Sequence, residues 1–120
     1  MDIDAQDAFD INFFENTLKR DPKNLQILEL LGSLYSKYDM ARQALRIDRR
    51  LVRLLPNDPR IRYNLACSLC LLGRKSDSIN ALEQAFDLGY DDLDWLKQDP
   101  DLDGIRDHPE YQRLFDRRSS

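Results

Sequence analysis

Apolar residues recur along this chain at steps of three and four, the spacing that lines up one face of an α-helix. Leu28, Leu31, Leu34 with Tyr35, and Tyr38 form one stripe, and Ala44, Ile47, Leu51 and Leu54 form the next. Ile61, Leu65, Leu69 and Leu72 follow, then Ile79, Leu82, Ala85 and Phe86. Chemical punctuation separates the stripes. Asp58 is suited to cap a helix that Pro59 opens. Gly73 and Gly89 fall where helices should stop, because glycine accepts the left-handed backbone found there. Twenty leucines stand against a single valine, Val52, and a single threonine, Thr17. So little β-branching disfavours sheets, and the pattern predicts an all-α fold.

Sliding the chain against itself exposes a period of 34 residues. Pro22 falls on Pro56, Asn24 on Asp58 and Asp92, Leu18 on Val52 and Phe86, Leu31 on Leu65, and Gly32 on Ala66. Tyr35 falls on Leu69, Ala44 on Ser78, and Phe14 on Leu82. Each match keeps a size class or a backbone role. The period predicts pairs of antiparallel helices, each about 14 residues long, stacked so that neighbours bury one another's apolar faces.

Leu31-Gly32, Tyr35, Ala44, Leu51 and Pro56, in residues 25–58, fall at the spacing of the tetratricopeptide signature. The second unit, 59–92, keeps Leu65-Ala66, Gly73, Leu82 and Ala85, with Tyr90 where the terminal proline would stand. Residues 9–24, with Phe13, Phe14, Leu18 and Asp21-Pro22, look like the second helix of a truncated preceding unit. The chain thus resembles the tetratricopeptide repeat family. Gly89-Tyr90, Trp95-Leu96, Asp99-Pro100-Asp101-Leu102 and His108-Pro109 resemble the run that closes such arrays in bacterial proteins. The resemblance implies an α-solenoid in a single domain, residues 1–120. It would comprise a leading helix (1–24), repeats at 25–58 and 59–92, and a C-terminal cap (93–120). Cap helices are expected around 91–97 and 109–116, with Trp95, Leu96, Leu102, Ile105, Tyr111, Leu114 and Phe115 on their apolar side.

Composition narrows the function. The 120 residues carry a net charge of −4 and an isoelectric point near 4.9, which argues against nucleic acid as partner. No apolar run reaches membrane-spanning length. The acidic start (Asp2, Asp4, Asp7) lacks the form of an export signal, and two cysteines make no disulfide framework. A cytoplasmic protein with reduced thiols is expected. Charge is segregated: residues 37–62 carry eight bases and three acids, while 83–110 carry ten acids and two bases.

Two motifs suggest chemistry. Asp99, Asp101, Asp103, Asp107 and Glu110 fall at liganding positions of a twelve-residue calcium loop, with Gly104 at its sharp turn. Against that reading, Arg106 stands where an aliphatic residue belongs, Pro100 and Pro109 interrupt the loop, and no second loop pairs with it. The alternative is a capping segment in which Asp99 and Asp107 start short helices. Cys67-x-x-Cys70 has redox or zinc spacing, but it lies in mid-helix and His108 is the sole histidine. Packing or groove-lining thiols are the plainer reading. No phosphate loop or nucleophile–base pair is visible, so no enzyme and no cofactor are expected.

The resemblance implies a groove lined by the first helix of each pair, where family members hold a peptide or helix. Its positions here are Gln26, Glu29, Ser33, Ser36 and Lys37, then Arg60, Tyr63, Asn64, Cys67 and Cys70. Tyr63 is expected as an exposed apolar anchor, with Glu29, Lys37, Arg60 and Asn64 selecting the ligand. One subclass clamps a C-terminal carboxylate with lysines and asparagines. Asn64 matches that clamp, but Glu29 and Ser33 depart from it. The leading expectation is a scaffold that binds a segment of another protein. The alternative is self-assembly, with a basic stripe (Arg42, Arg46, Arg49, Arg50, Arg53) meeting the acidic 83–110 region of a second copy.

Overall fold

Carboxylates and an amide waiting at helix starts decide where the chain coils. In a computed structural model describing residues 2–119, Asp4 opens α1 (Ala5–Arg20) by accepting the N–H groups of Gln6 and Asp7. Asn24 opens α2 (Leu25–Lys37) through the Ile27 N–H. Asp58, with Pro59 behind it, opens α4 (Pro59–Leu71) through the Arg60 N–H. Asp92 does the same for α6 (Leu93–Gln98) through Trp95, and Asp99 for a 3₁₀ helix over Pro100–Ile105 through Asp101. Each cap satisfies backbone donors that the helix itself leaves free. The second helices α3 (Ala41–Leu54) and α5 (Lys75–Asp87) start without a side-chain cap. The last helix is α7 (Pro109–Ser119).

The three-residue breaks after α2 and α4 share one geometry. The N–H of Met40 reaches back to the Tyr35 carbonyl, and that of Arg74 to the Leu69 carbonyl. The turn residue has positive φ in both, 57° at Asp39 and 77° at Gly73. Leu25 and Pro59, Lys37 and Leu71, and Ala41 and Lys75 are each 34 positions apart, so element boundaries recur with the period of the sequence.

All described residues in regular structure are helical, as the pattern predicted, and each of α1 to α4 packs on the next. Ile11, Leu18, Leu28, Leu31, Ala44, Ile47, Leu51 and Ile61 form one apolar cluster. Tyr63, Ala66, Leu69, Ile79, Leu82, Phe86 and the C-terminal Leu96, Leu102, Ile105 and Leu114 form a second. A Cβ on Gly32 would stand 3.2 Å from the Ile47 side chain, so hydrogen at that position is what lets α2 and α3 approach. At the matching site, Ala66 meets Ser78, whose hydroxyl donates to the Ala66 carbonyl at 2.7 Å.

The C-terminal segment departs from expectation in two ways. Besides the two helices, a 3₁₀ helix fills residues 100–105 and packs on α4 and α5. Trp95, expected inside, is 45% exposed, because α6 turns Leu96 inward instead. Among the described residues no helix is long and apolar enough to cross a membrane. Met1 and Ser120, the ends of the first and last predicted segments, lie outside the described residues.

Candidate functional site

α2 and α4 present side chains to a common groove of about 370 Å³, closed on one side by α6 and the 3₁₀ helix. Glu29, Ser33 and Ser36 come from α2, and Arg60, Tyr63, Asn64, Cys67 and Leu71 from α4. Ala44, Asp48 and Leu51 of α3 lie along it, with Trp95, Asp99 and Asp101 opposite. Of the expected residues, Glu29, Ser33, Ser36, Arg60, Tyr63, Asn64 and Cys67 do meet here.

Gln26, Lys37 and Cys70 do not. Gln26 is exposed outside the groove. The Lys37 ammonium turns to Asp7 of α1 at 2.8 Å. Its hydrogen bond holds the Asp7 carboxyl below its ordinary value, with that of the Tyr38 hydroxyl second. Cys70 is buried beneath Gly104, whose Cβ would stand 3.2 Å from its sulfur.

Tyr63 is the larger correction: it is 5% exposed and is no free anchor. Its ring stacks on Tyr90, centroids 4.4 Å apart and the ring planes nearly parallel. Its hydroxyl donates to Asp99 Oδ2 at 2.5 Å. Burial first, then that hydrogen bond, drives the Tyr63 phenol far above its normal range, and burial pushes Tyr90 up to about 12. The Cys67 thiol also reaches Asp99 Oδ2, at 3.6 Å. Burial, followed by the charges of Asp99 and Asp101, raises Cys67 far beyond a usual thiol. Both cysteines are free and buried, which favours protonated, packed thiols over redox chemistry. Asp99 thus ties the cap to α4, and Arg106 reinforces it by donating to the carbonyls of Leu96 and Asp99.

Cys67, Asp99 and Asp101 bring one ligand atom each within 4.8 Å of one another. Two of those atoms already share the hydrogen bonds just described, which suits a latch better than a metal seat. The calcium-loop carboxylates do not converge. Asp103 pairs with Arg106 at 3.1 Å and Glu110 with Arg113 at 2.8 Å, both at the surface. The 3₁₀ helix, started by Asp99 with Pro100 behind it, occupies the span a liganding loop would need.

Pattern reading missed Asp48. It is 7% exposed and accepts one hydrogen bond, from the Ser68 hydroxyl at 2.6 Å. Burial lifts its carboxyl to about 6, against the lowering effect of Ser68. A signal was present, since Asp48 sits four residues from Ala44 and three from Leu51 and so falls on the apolar stripe itself. Arg42, Arg46, Arg49 and Arg53 point outward on α3, exposed and in no ion pair with a described residue, while Arg50 donates to the Pro22 carbonyl.

No family model matches the chain. The chain is similar to a chloroplastic protein of Arabidopsis thaliana, at 35% identity over 53 residues. That segment is 44% of this chain and 16% of the length of the plant protein.

Proposed function

We propose that this chain is a non-enzymatic binding module of the tetratricopeptide type, holding a segment of a partner protein in the groove between α2 and α4. The observation that carries this reading is the groove itself. Two first helices, 34 residues apart in sequence, offer it a row of exposed polar groups (Ser33, Ser36, Asn64, Arg60) over an apolar floor (Ala44, Leu51, Ile61). Such a surface suits an extended or helical segment, with apolar contact for affinity and polar groups for selection. The recurring helix boundaries and the shared turn after α2 and α4 support a two-hairpin solenoid. The C-terminal helices act as its end cap, because a terminal repeat must cover its own apolar face.

The test is capture from lysate of the source cell by the native chain and by a Ser33→Trp, Asn64→Trp double variant. Both positions are exposed, so circular dichroism should be unchanged while the groove is filled. A partner held by the native chain and lost by the variant supports the groove. Equal capture by both rejects it.

A second reading, self-assembly through the α3 arginines and the acidic C-terminal third, is favoured by the four exposed arginines that pair with no carboxylate among the described residues. Charge contacts between copies weaken as salt rises. A mass that stays monomeric at low ionic strength and micromolar concentration would end that reading.

A further inference from the structure

We propose that the groove selects a basic segment, a lysine or arginine side chain of the partner entering over Asp48. This rests on the groove reading above and names the chemistry of its ligand.

Charge complementarity is the first argument. Five carboxylates line the groove, those of Glu29, Asp39, Asp48, Asp99 and Asp101, against one cation, Arg60. That cation is already engaged, with Glu29 at 3.2 Å and Asp58 at 4.0 Å. The field at the mouth is felt by Asp101, whose carboxyl is raised by desolvation first and then by Asp99, Asp39 and Asp103.

Asp48 supplies the second, independent argument. It is more than nine-tenths buried, lines the groove, and has no cationic partner among the described residues. Only Oδ2 accepts a hydrogen bond, from Ser68; Oδ1 accepts none from a described residue. A buried carboxylate normally has most of its acceptor sites filled or a charge beside it. An ammonium or guanidinium brings both. The approach suits such a side chain too, because Ala44 and Leu51 offer apolar contact to its methylene stem. Trp95, half exposed, lines the same groove, and an indole is the aromatic ring that attracts a cation most strongly.

The test titrates the isotope-labelled full chain with three acetylated nonapeptides and follows the backbone amides by NMR. The peptides repeat Lys-Leu-Ser, Gln-Leu-Ser or Glu-Leu-Ser. The lysine peptide is expected to shift amides of Ser33, Asn64 and Asp101, and to weaken severalfold between about 50 and about 500 mM salt. Asp48→Asn, which retains an acceptor for Ser68, should weaken the lysine peptide about tenfold or more, and by a larger factor than it changes the glutamine peptide. Asp39→Asn should cost less, as an exposed charge does.

Binding of the glutamine or glutamate peptide in the groove as tightly as the lysine peptide would overturn the charge proposal and leave the groove reading standing. Shifts confined to other surfaces would overturn both, as would failure of every peptide together with equal capture by the Trp-filled variant. Failure of the lysine peptide alone overturns the charge proposal. Groove shifts that appear on raising protein concentration without peptide would show that a second copy of this chain fills the groove, overturning the proposal of a separate partner's basic segment.

Discussion

Asp48 shows how one buried ionisable residue makes stability depend on pH. A neutral side chain of its size would fit the same place between α3 and α4 without an ionisation to suppress. Its folded value of about 6 lies above the ordinary 3.8, so the folded chain binds this proton more tightly than the unfolded one. The site's contribution is therefore full below pH of about 4 and is lost as pH rises through about 6, a difference of about 3 kcal/mol at the limit. Asp48→Asn is expected to be more stable than the native chain by about 1–3 kcal/mol near pH 8. That advantage should fade toward pH 4 in urea unfolding. An unchanged gap across that range would show that Asp48 does not titrate as its burial requires.

At the scale of elements, the joint between α4 and the 3₁₀ helix concentrates polar groups that most cores avoid. Tyr63, Cys67 and the Asp101 N–H all donate to the single buried carboxylate of Asp99. Tyr63→Phe keeps the stack on Tyr90 and removes only the hydroxyl. Leaving Asp99 short of that donor should cost about 1–3 kcal/mol, seen as a lower urea midpoint and faster amide exchange over residues 93–105. An unaltered midpoint would mean that water takes the place of the phenol. Sequence reading recognised the aromatic at position 63 but assigned it to solvent. Helical spacing says which face a residue occupies; it does not say that a distant cap will fold over that face.

At the scale of the molecule, two apolar clusters share the α3–α4 junction, and the second is completed only by the cap. Leu102 is fully buried within it. Leu102→Ala should destabilise the chain by about 2–5 kcal/mol through lost transfer energy and a residual cavity. Unfolding followed by circular dichroism should remain one transition if the clusters are coupled. Two separated transitions would show that the α1–α3 half folds on its own. The segregation of charge along the chain becomes meaningful here as well. The groove gathers acids from α2, α3, the turn at Asp39 and the cap, although α3 and its flanks form the most basic stretch of the sequence.

The sequence by itself determined the α-helices but not the 3₁₀ helix at 100–105, and with them the 34-residue recurrence and most of the groove-lining positions on α2 and α4. These follow from local chemistry: caps, breakers and a periodic apolar face act within a turn or two of the chain. Only the tertiary structure decided that Tyr63 is buried, that Lys37 leaves the groove for Asp7, that Trp95 stays at the surface, and that Asp99 accepts from Tyr63 and Cys67. Each of the four depends on residues 30 or more positions apart meeting, or on which face of a short helix the core claims, and spacing along the chain carries no record of either.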